Sequence, residues 1–308
     1  KKGITPEQLA AYRDQLETGF PPMKLVANAT VGHGIHTFTE AEEKEFCLEY
    51  RMRKGVDVIK FVPASGAASR MFKDLFAYLN EEESSESTEV FFRELEKYPF
   101  YDRLREKLSL TDETAQTAEG RKRILRTLLL EEGMNYGQLP KGSILFHRYD
   151  NGSARTAFEE HFHEGAMYAA NANRGVVRIH FTLPDDGKEA IDNLLTEAAH
   201  LVGDYYDVRF DIETDVQHPS TDTPAIDAET GEWVRTETGE LLFRPAGHGA
   251  LLDNLNRIDA DVVFVKNIDN VVPDRLKGIT VNHKELLGGI LLHVRDRMFG
   301  YLKDIDRD

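Results

Sequence analysis

Residues 60–75, "KFVPASGAASRMFKDL", place the small side chains of Ala64, Ser65, Gly66, Ala67, Ala68 and Ser69 between an apolar run and Arg70, which opens a helical pattern. Side chains this small let a ligand reach the backbone, and N–H groups at the positive end of a following helix suit a phosphate. Arg70 adds a permanent cation whose several donors can hold two phosphate oxygens at once. The same residues would also make a plain strand-to-helix turn with a surface arginine. Farther along, "VVFVKNIDNVVPD" (262–274) ends a second apolar run in Asn267, Asp269 and Asn270. A carboxylate just past a buried strand is costly to leave unpaired, and Mg²⁺ would satisfy it together with phosphate oxygens. An Asx turn or helix cap is the alternative use of Asp269. "FRPAGHGALLDNLN" (243–256) sets Gly247, His248 and Gly249 at another turn into a helix, where flat backbone could lie against a base or sugar.

These residues need elements to hold them. Thr5 before Pro6 signals a helix over 5–17, and Thr39 opens a second over 39–53. "DVIKFVPA" is short, apolar and β-branched, which favours a buried strand. From Ser69 to about Glu132 the pattern is helical, with the acidic Ser/Glu stretch 81–88 expected as a solvated loop. Apolar "ILFHRY" follows, then a helix over 153–172, a strand in "VVRIHFTL", a helix over 186–202 and a strand in "DVRFDIET". A hairpin around "AETGEWVRTETGELLF", the strand in "DADVVFVKNIDN" and a closing helix over 283–302 complete the chain. Alternating strands and helices imply an α/β protein with an open, mostly parallel, Rossmann-like sheet and helices on both faces. The organisation expected is an N-terminal helical segment, 1–55, and an α/β domain, 56–308, interrupted by a helical insert at about 73–135. In such sheets ligands bind outside the carboxyl ends of the strands, where the loop after residue 63 and Asp269 would both lie.

Composition narrows the partners. The formal net charge is −16, without a long Lys/Arg block, which argues against nucleic-acid binding but leaves anionic small ligands open to local cations. Cys47 is the only cysteine, so no internal disulfide framework exists, and a reducing compartment, the cytoplasm, is expected. Within "EKEFCLEYRMRK" it reads as a buried small residue. No apolar run approaches the roughly 20 residues of a membrane helix, and no signal peptide is visible, although the chain opens on Lys1 and a leader could have been removed. His161 and His163 in "EEHFHEG" stand two apart on a helix, point to different faces and cannot easily share a metal, so a polar helix face is expected. His33 and His36 fall in a Gly-containing loop. Glu229, Glu232, Glu237 and Glu240 read as solvated charge, and Trp233 as a packing residue of the hairpin. No Ser-centred nucleophile elbow is present.

"RPAGHGALL" together with "VVFVKNIDNVV" resembles the paired P-G-H-G and N-x-D-N elements of the UDP-glucose and UDP-N-acetylhexosamine pyrophosphorylases, nucleotidyltransferases of the glycosyltransferase-A type. "VPASGAASRM" is similar to their first, glycine-rich loop, and "TDVQHPSTDTPAID" (214–227) to their segment preceding the P-G-H-G turn. The chain is identified as a divergent relative, within domain-of-unknown-function family 4301. The resemblance implies transfer of a nucleotide from a nucleoside triphosphate, with uracil the expected base, to a sugar 1-phosphate with release of pyrophosphate. It implies that Gly66 and its neighbours cradle the triphosphate, Arg70 offsets charge on pyrophosphate, Gln217 with Gly247, His248 and Gly249 contacts the base, and Asp269 holds Mg²⁺. Alanines stand where that family prefers glycines. The family's phosphate-binding Pro-Lys pair is matched by Pro140-Lys141, with Lys73 the nearer but proline-less alternative. The chain beyond Asp269 is also shorter than the family's sugar-site strands need. A glycosyltransferase, another nucleotide-dependent transferase or a non-catalytic nucleotide- or sugar-binding protein are the other readings.

Overall fold

The computed structural model describes residues 2–66, 68, 71–81, 84–108, 114–170, 175–185, 188–244 and 246–307. Four parallel strands form its central sheet: β1 (Val58–Pro63), β4 (Val176–Leu183), β5 (Arg209–Val216) and β6 (Val262–Val265), in the order β6-β1-β4-β5. Val262 lies beside Val58, Ile59 beside Arg178, and Val176 beside Arg209. From β1 the chain steps to β4 and β5 in one direction, then returns to lay β6 on the other flank of β1. That reversal sets the carboxyl ends of β1 and β6 side by side, the crevice position at which parallel sheets hold ligands.

Helix α1 (Pro6–Thr18) and helix α2 (Glu40–Met52) begin at Thr5 and Thr39 as expected, each closed by a reciprocal capping box with Gln8 or Glu42. The insert comprises α3 (Lys73–Glu81), α4 (Glu86–Arg93), α5 (Tyr101–Leu108) and α6 (Ala118–Leu129), packed around its own core of Phe72, Phe91, Phe100, Leu104 and Leu125. The acidic stretch expected as loop 81–88 is shorter. Ser85 caps α4, and Thr88 is buried inside that helix because Phe91 and Phe92 draw the face inward.

The apolar run "ILFHRY" does not join the parallel sheet. Its β2 (Leu145–Arg148) pairs antiparallel with β3 (Ala154–Thr156) across a turn containing Gly152. The helix expected over 153–172 therefore becomes α7 (Ala157–Tyr168), which starts after Thr156 caps it. Helix α8 (Lys188–Tyr206) links β4 to β5, a short α9 (Leu252–Leu255) precedes β6, and α10 (Asp274–Ile305) extends both ends of the expected closing helix.

Side-chain alternation assigns the faces. Val62, Ala64, Phe181 and Leu183 pack with α7 and α8, and Val58, Val177, Val262 and Phe264 with Tyr50 of α2 and Leu292 of α10. The long helices thus share one face rather than both, and Asn254 of α9 bonds to Asp215 on the opposite face. Helices α2 and α10 approach closely enough that a Cβ on Gly289 would sit 2.0 Å from the Phe46 carbonyl oxygen, so glycine is required there. Cys47 is buried in this contact, as expected, with its Sγ directed at Asn282. No described helix is long and apolar enough to cross a membrane.

Candidate functional site

Beyond β1, Ala64 N–H still donates to Thr182 of β4, at 2.9 Å, before the chain leaves the sheet. The segment at 139–141 then lies against the departing loop: Ala68 N–H donates to the Leu139 carbonyl and Lys141 N–H to the Gly66 carbonyl, both at 3.3 Å. Gly142 lets the same segment lie against α7, since a Cβ there would meet the Phe158 ring at 2.3 Å. Lys141 Nζ donates to Asp269 Oδ2 at 2.8 Å. Asp269 sits in a 3₁₀ turn, Ile268–Asn270, directly after β6. Gly66, Lys141 and Asp269 are therefore joined at the crevice between β1 and β6, although Lys141 and Asp269 are 128 positions apart in sequence.

Groups beneath the crevice hold it. Lys60 of β1 is fully buried and donates to the His161 carbonyl at 2.9 Å and to Glu164 at 3.2 Å. Glu164 also accepts from Lys266, the residue after β6. Burial pushes the Lys60 ammonium down to about 7, with Glu164 pulling it back up. Burial works to raise Glu164, but the Lys60 charge and the Lys266 hydrogen bond prevail and bring it down to about 2. His161 Nε2 donates to the Ile268 carbonyl at 3.1 Å, and burial lowers its pKa well below the usual range, so the ring is neutral. A second buried carboxylate, Glu160, accepts from His147, Tyr149 and Lys277, and Lys277 also donates to the Val272 carbonyl.

Past the carboxyl ends of β1, β4 and β5, on the other flank of β1 from β6, Ser65, Leu183, Pro184, Asp185, Val216 and Gln217 line a cavity of about 350 Å³. Gln217 Nε2 donates to Thr221 Oγ1 at 3.3 Å and to the Ala246 carbonyl at 3.4 Å, which sets it beside the turn at Gly247. A Cβ on Gly66, Gly247 or Gly249 would meet nothing within 4 Å, and none of the three has a positive φ, so intramolecular packing does not require glycine at these positions. A larger cavity of about 400 Å³ lies within the helical insert, lined by Glu89, Phe92, Tyr101 and Arg121.

A family model described as "Domain of unknown function (DUF4301)" matches residues 1–308. The chain belongs to that family. No curated protein and no solved structure matches it. The family description carries no activity, and the likeness to UDP-sugar pyrophosphorylases stands on the quoted motifs alone.

Of the site residues expected in this DUF4301 chain, Gly66, Lys141 and Asp269 come together, as do Gln217 and the 246–249 turn, with Ser65 between the groups. Ala64 and Ala68 are buried beside the loop. Ala67, Ser69 and Arg70 lie outside the described residues. Lys73 is exposed at the start of α3, whereas Lys141 reaches Asp269. Among the described residues no three His, Cys, Asp or Glu side chains converge on a metal position. His161 and His163 do face different ways, but both are buried, which corrects the solvent-facing helix expected. His163 faces Tyr206 rather than the crevice. Trp233 packs under Arg13, as a hairpin residue should.

Sequence reasoning missed Lys60, Glu160, His161, Glu164 and Lys277 as parts of this region. A signal was present. Lys60 interrupts an otherwise apolar strand, and "EEHFHEG" stands between Phe158 and Ala166 on a helix; polar groups in such settings are buried with partners or not at all.

Proposed function

We propose that the protein is a nucleotidyltransferase, on a sheet of the glycosyltransferase-A type, that joins a nucleoside triphosphate to a sugar 1-phosphate and releases pyrophosphate. The observation that supports this is the meeting of the Gly66 loop, Lys141 and Asp269 at the crevice between β1 and β6. An oxygen of the acceptor phosphate attacks the α-phosphorus in line, the bond to the β-phosphate oxygen breaks, and pyrophosphate departs. Such a reaction asks the protein for position and charge rather than covalent chemistry.

The backbone at Gly66 approaches the phosphates without obstruction, and Lys141 exchanges Asp269 for a phosphate oxygen. Arg70 adds charge opposite the departing pyrophosphate. Gln217 and the turn at Gly247, His248 and Gly249 take the base, in the cavity that Ser65 borders. Asp269 fits Mg²⁺ as a single hard carboxylate at a half-exposed position, the kind of site where substrate phosphates and water complete the shell. Bound there, the cation would neutralise phosphate charge. His161 orients the Ile268–Asn270 turn from below without touching substrate.

The test is a thermal-shift screen of nucleoside triphosphates with Mg²⁺, followed by pyrophosphate release against a panel of sugar 1-phosphates. Stabilisation by a triphosphate and pyrophosphate release dependent on one sugar phosphate support the reading. The alanines of the loop favour a second reading, nucleotide or sugar binding without catalysis, for which stabilisation occurs but no pyrophosphate appears.

A further inference from the structure

The cavity past the carboxyl ends of β1, β4 and β5 offers a ligand mostly hydrogen-bond acceptors. Asp185 stands two residues beyond β4, exposed at the cavity wall, and among the described residues no side chain or N–H group bonds to its carboxylate. It is therefore not spent on capping α8, which begins at Lys188. The amide hydrogens of Gln217 are engaged by Thr221 Oγ1 at 3.3 Å and by the Ala246 carbonyl at 3.4 Å, so its own carbonyl oxygen is the end left for a ligand. Ser65 adds a hydroxyl. Among the described residues of the lining the one cation is Lys2, held by the buried carboxylate of Asp222. Leu183, Pro184 and Val216 supply apolar surface for a flat ring, and a volume of about 350 Å³ is that of a small-molecule site.

We propose that this cavity selects guanine, so that the nucleoside triphosphate is GTP. The inference rests on the nucleotidyltransferase reading, in which Gln217 and the 247–249 turn take the base, and it replaces the uracil that the pyrophosphorylase resemblance implies. Guanine carries two adjacent donors on its pairing edge, N1–H and the 2-amino group, which match the two oxygens of one carboxylate, Asp185, as a bidentate, charge-assisted pair. Its O6, on the other side of N1, is an acceptor suited to the Lys2 ammonium. Uracil has a single donor, N3–H, between two carbonyl oxygens, and a carboxylate approaching that donor meets both. Adenine and cytosine each place one amino group beside a bare ring nitrogen, whose lone pair faces the second carboxylate oxygen. An acceptor set against another acceptor in a partly desolvated site weakens binding, so the lining rejects these three bases as well as attracting guanine. Ser65 adjoins Gly66, so a base seated here leaves its phosphates at the loop that meets Lys141 and, through it, Asp269.

Isothermal titration calorimetry of the full chain with GTP, UTP, ATP and CTP, each with Mg²⁺, tests this. GTP is expected to bind roughly tenfold or more tightly than UTP, and inosine triphosphate, which lacks only the 2-amino group, to bind roughly tenfold more weakly than GTP. Asp185→Asn changes an exposed side chain that has no partner among the described residues. It is expected to keep the melting temperature, to lose the preference for GTP and to favour xanthosine triphosphate, whose C2 oxygen accepts from the introduced amide. UTP binding as tight as GTP, indifference to the 2-amino group, or unchanged GTP affinity in Asp185→Asn would each overturn the guanine assignment and leave the nucleotidyltransferase reading to the triphosphate that does bind. Failure of every triphosphate to bind would overturn both.

Discussion

Replacing Glu164 with glutamine keeps the shape of a fully buried side chain and removes the negative charge shared by Lys60 and Lys266. Taking one partner from a buried ion pair costs about 3–5 kcal/mol, because the remaining charge stays out of water without compensation. At roughly 2 °C per kcal/mol for a chain of this size, Glu164→Gln should lower the melting temperature by about 6–10 °C near neutral pH. The pH dependence carries a sharper signature. In the folded wild type Lys60 loses its proton at about 7, against a reference of 10.5, because burial outweighs Glu164. Without Glu164 that value falls further. Between the two values only the variant has shed the proton on folding, so its unfolded state binds more protons than its folded state and its stability rises with pH. The wild type has no such slope there. The deficit of Glu164→Gln should therefore be larger at about pH 6 than at about pH 8, measured by urea denaturation at each pH. A deficit below about 1 kcal/mol near neutral pH, or one that widens as pH rises, would refute the account of this network as a buried, mutually compensated set of charges.

The same carboxylate governs acid behaviour: its folded pKa is lowered to about 2 from 4.5, so its stabilisation is complete above about 4.5 and is lost as pH falls toward 2, a fall in urea midpoint that Glu164→Gln should lack. Asp269→Asn should leave the melting temperature nearly unchanged while abolishing Mg²⁺-dependent triphosphate binding; full retention of that binding would remove the metal role. Lys141→Ala should weaken triphosphate binding by about 1.5–3 kcal/mol in calorimetry, whereas Lys73→Ala should not, and the reverse result would show that the wrong lysine faces phosphate. Gly249→Ala adds a methyl that meets no atom of the folded chain within 4 Å, so stability should hold to within about 0.5 kcal/mol while nucleotide affinity falls.

The strands and helices that position the crevice were legible because their local signals agree with their packing. β1 and β4 are β-branched runs bounded by polar turns, and α1 and α2 begin at threonines whose capping partners stand three residues on. The β2–β3 pair was not legible as such. "ILFHRY" is apolar enough for a central strand, and nothing local says that it turns back at Gly152 to pair with residues that read as the start of a helix. Lys141 was legible only through the Pro-Lys resemblance; its contact with Asp269 depends on the insert folding back, which no local pattern encodes. The buried charges escaped for the opposite reason. Alternation and helical periodicity treat Lys60, Glu160 and Glu164 as surface residues, and their burial is affordable only because partners from three different elements arrive together.

Those partners explain why Asp269 is held where it is. The segment from 266 to 272 has no side-chain cap of its own at the Ile268–Asn270 turn. Instead it is gripped at three points from the interior: Lys266 through its ammonium by Glu164, Ile268 through its carbonyl by His161, and Val272 through its carbonyl by Lys277, itself fixed by Glu160. Glu160, His161 and Glu164 all belong to α7, and Lys60 ties that same helix to β1, whose end carries the Gly66 loop. One helix thus sets both lips of the crevice. A loop carrying Asp269 on exposed contacts alone would sample many positions relative to Gly66 and Lys141. Its attachment to a largely buried helix restricts that sampling, and the buried polar groups, unnecessary for a sheet-and-helix core, are accounted for by that restriction.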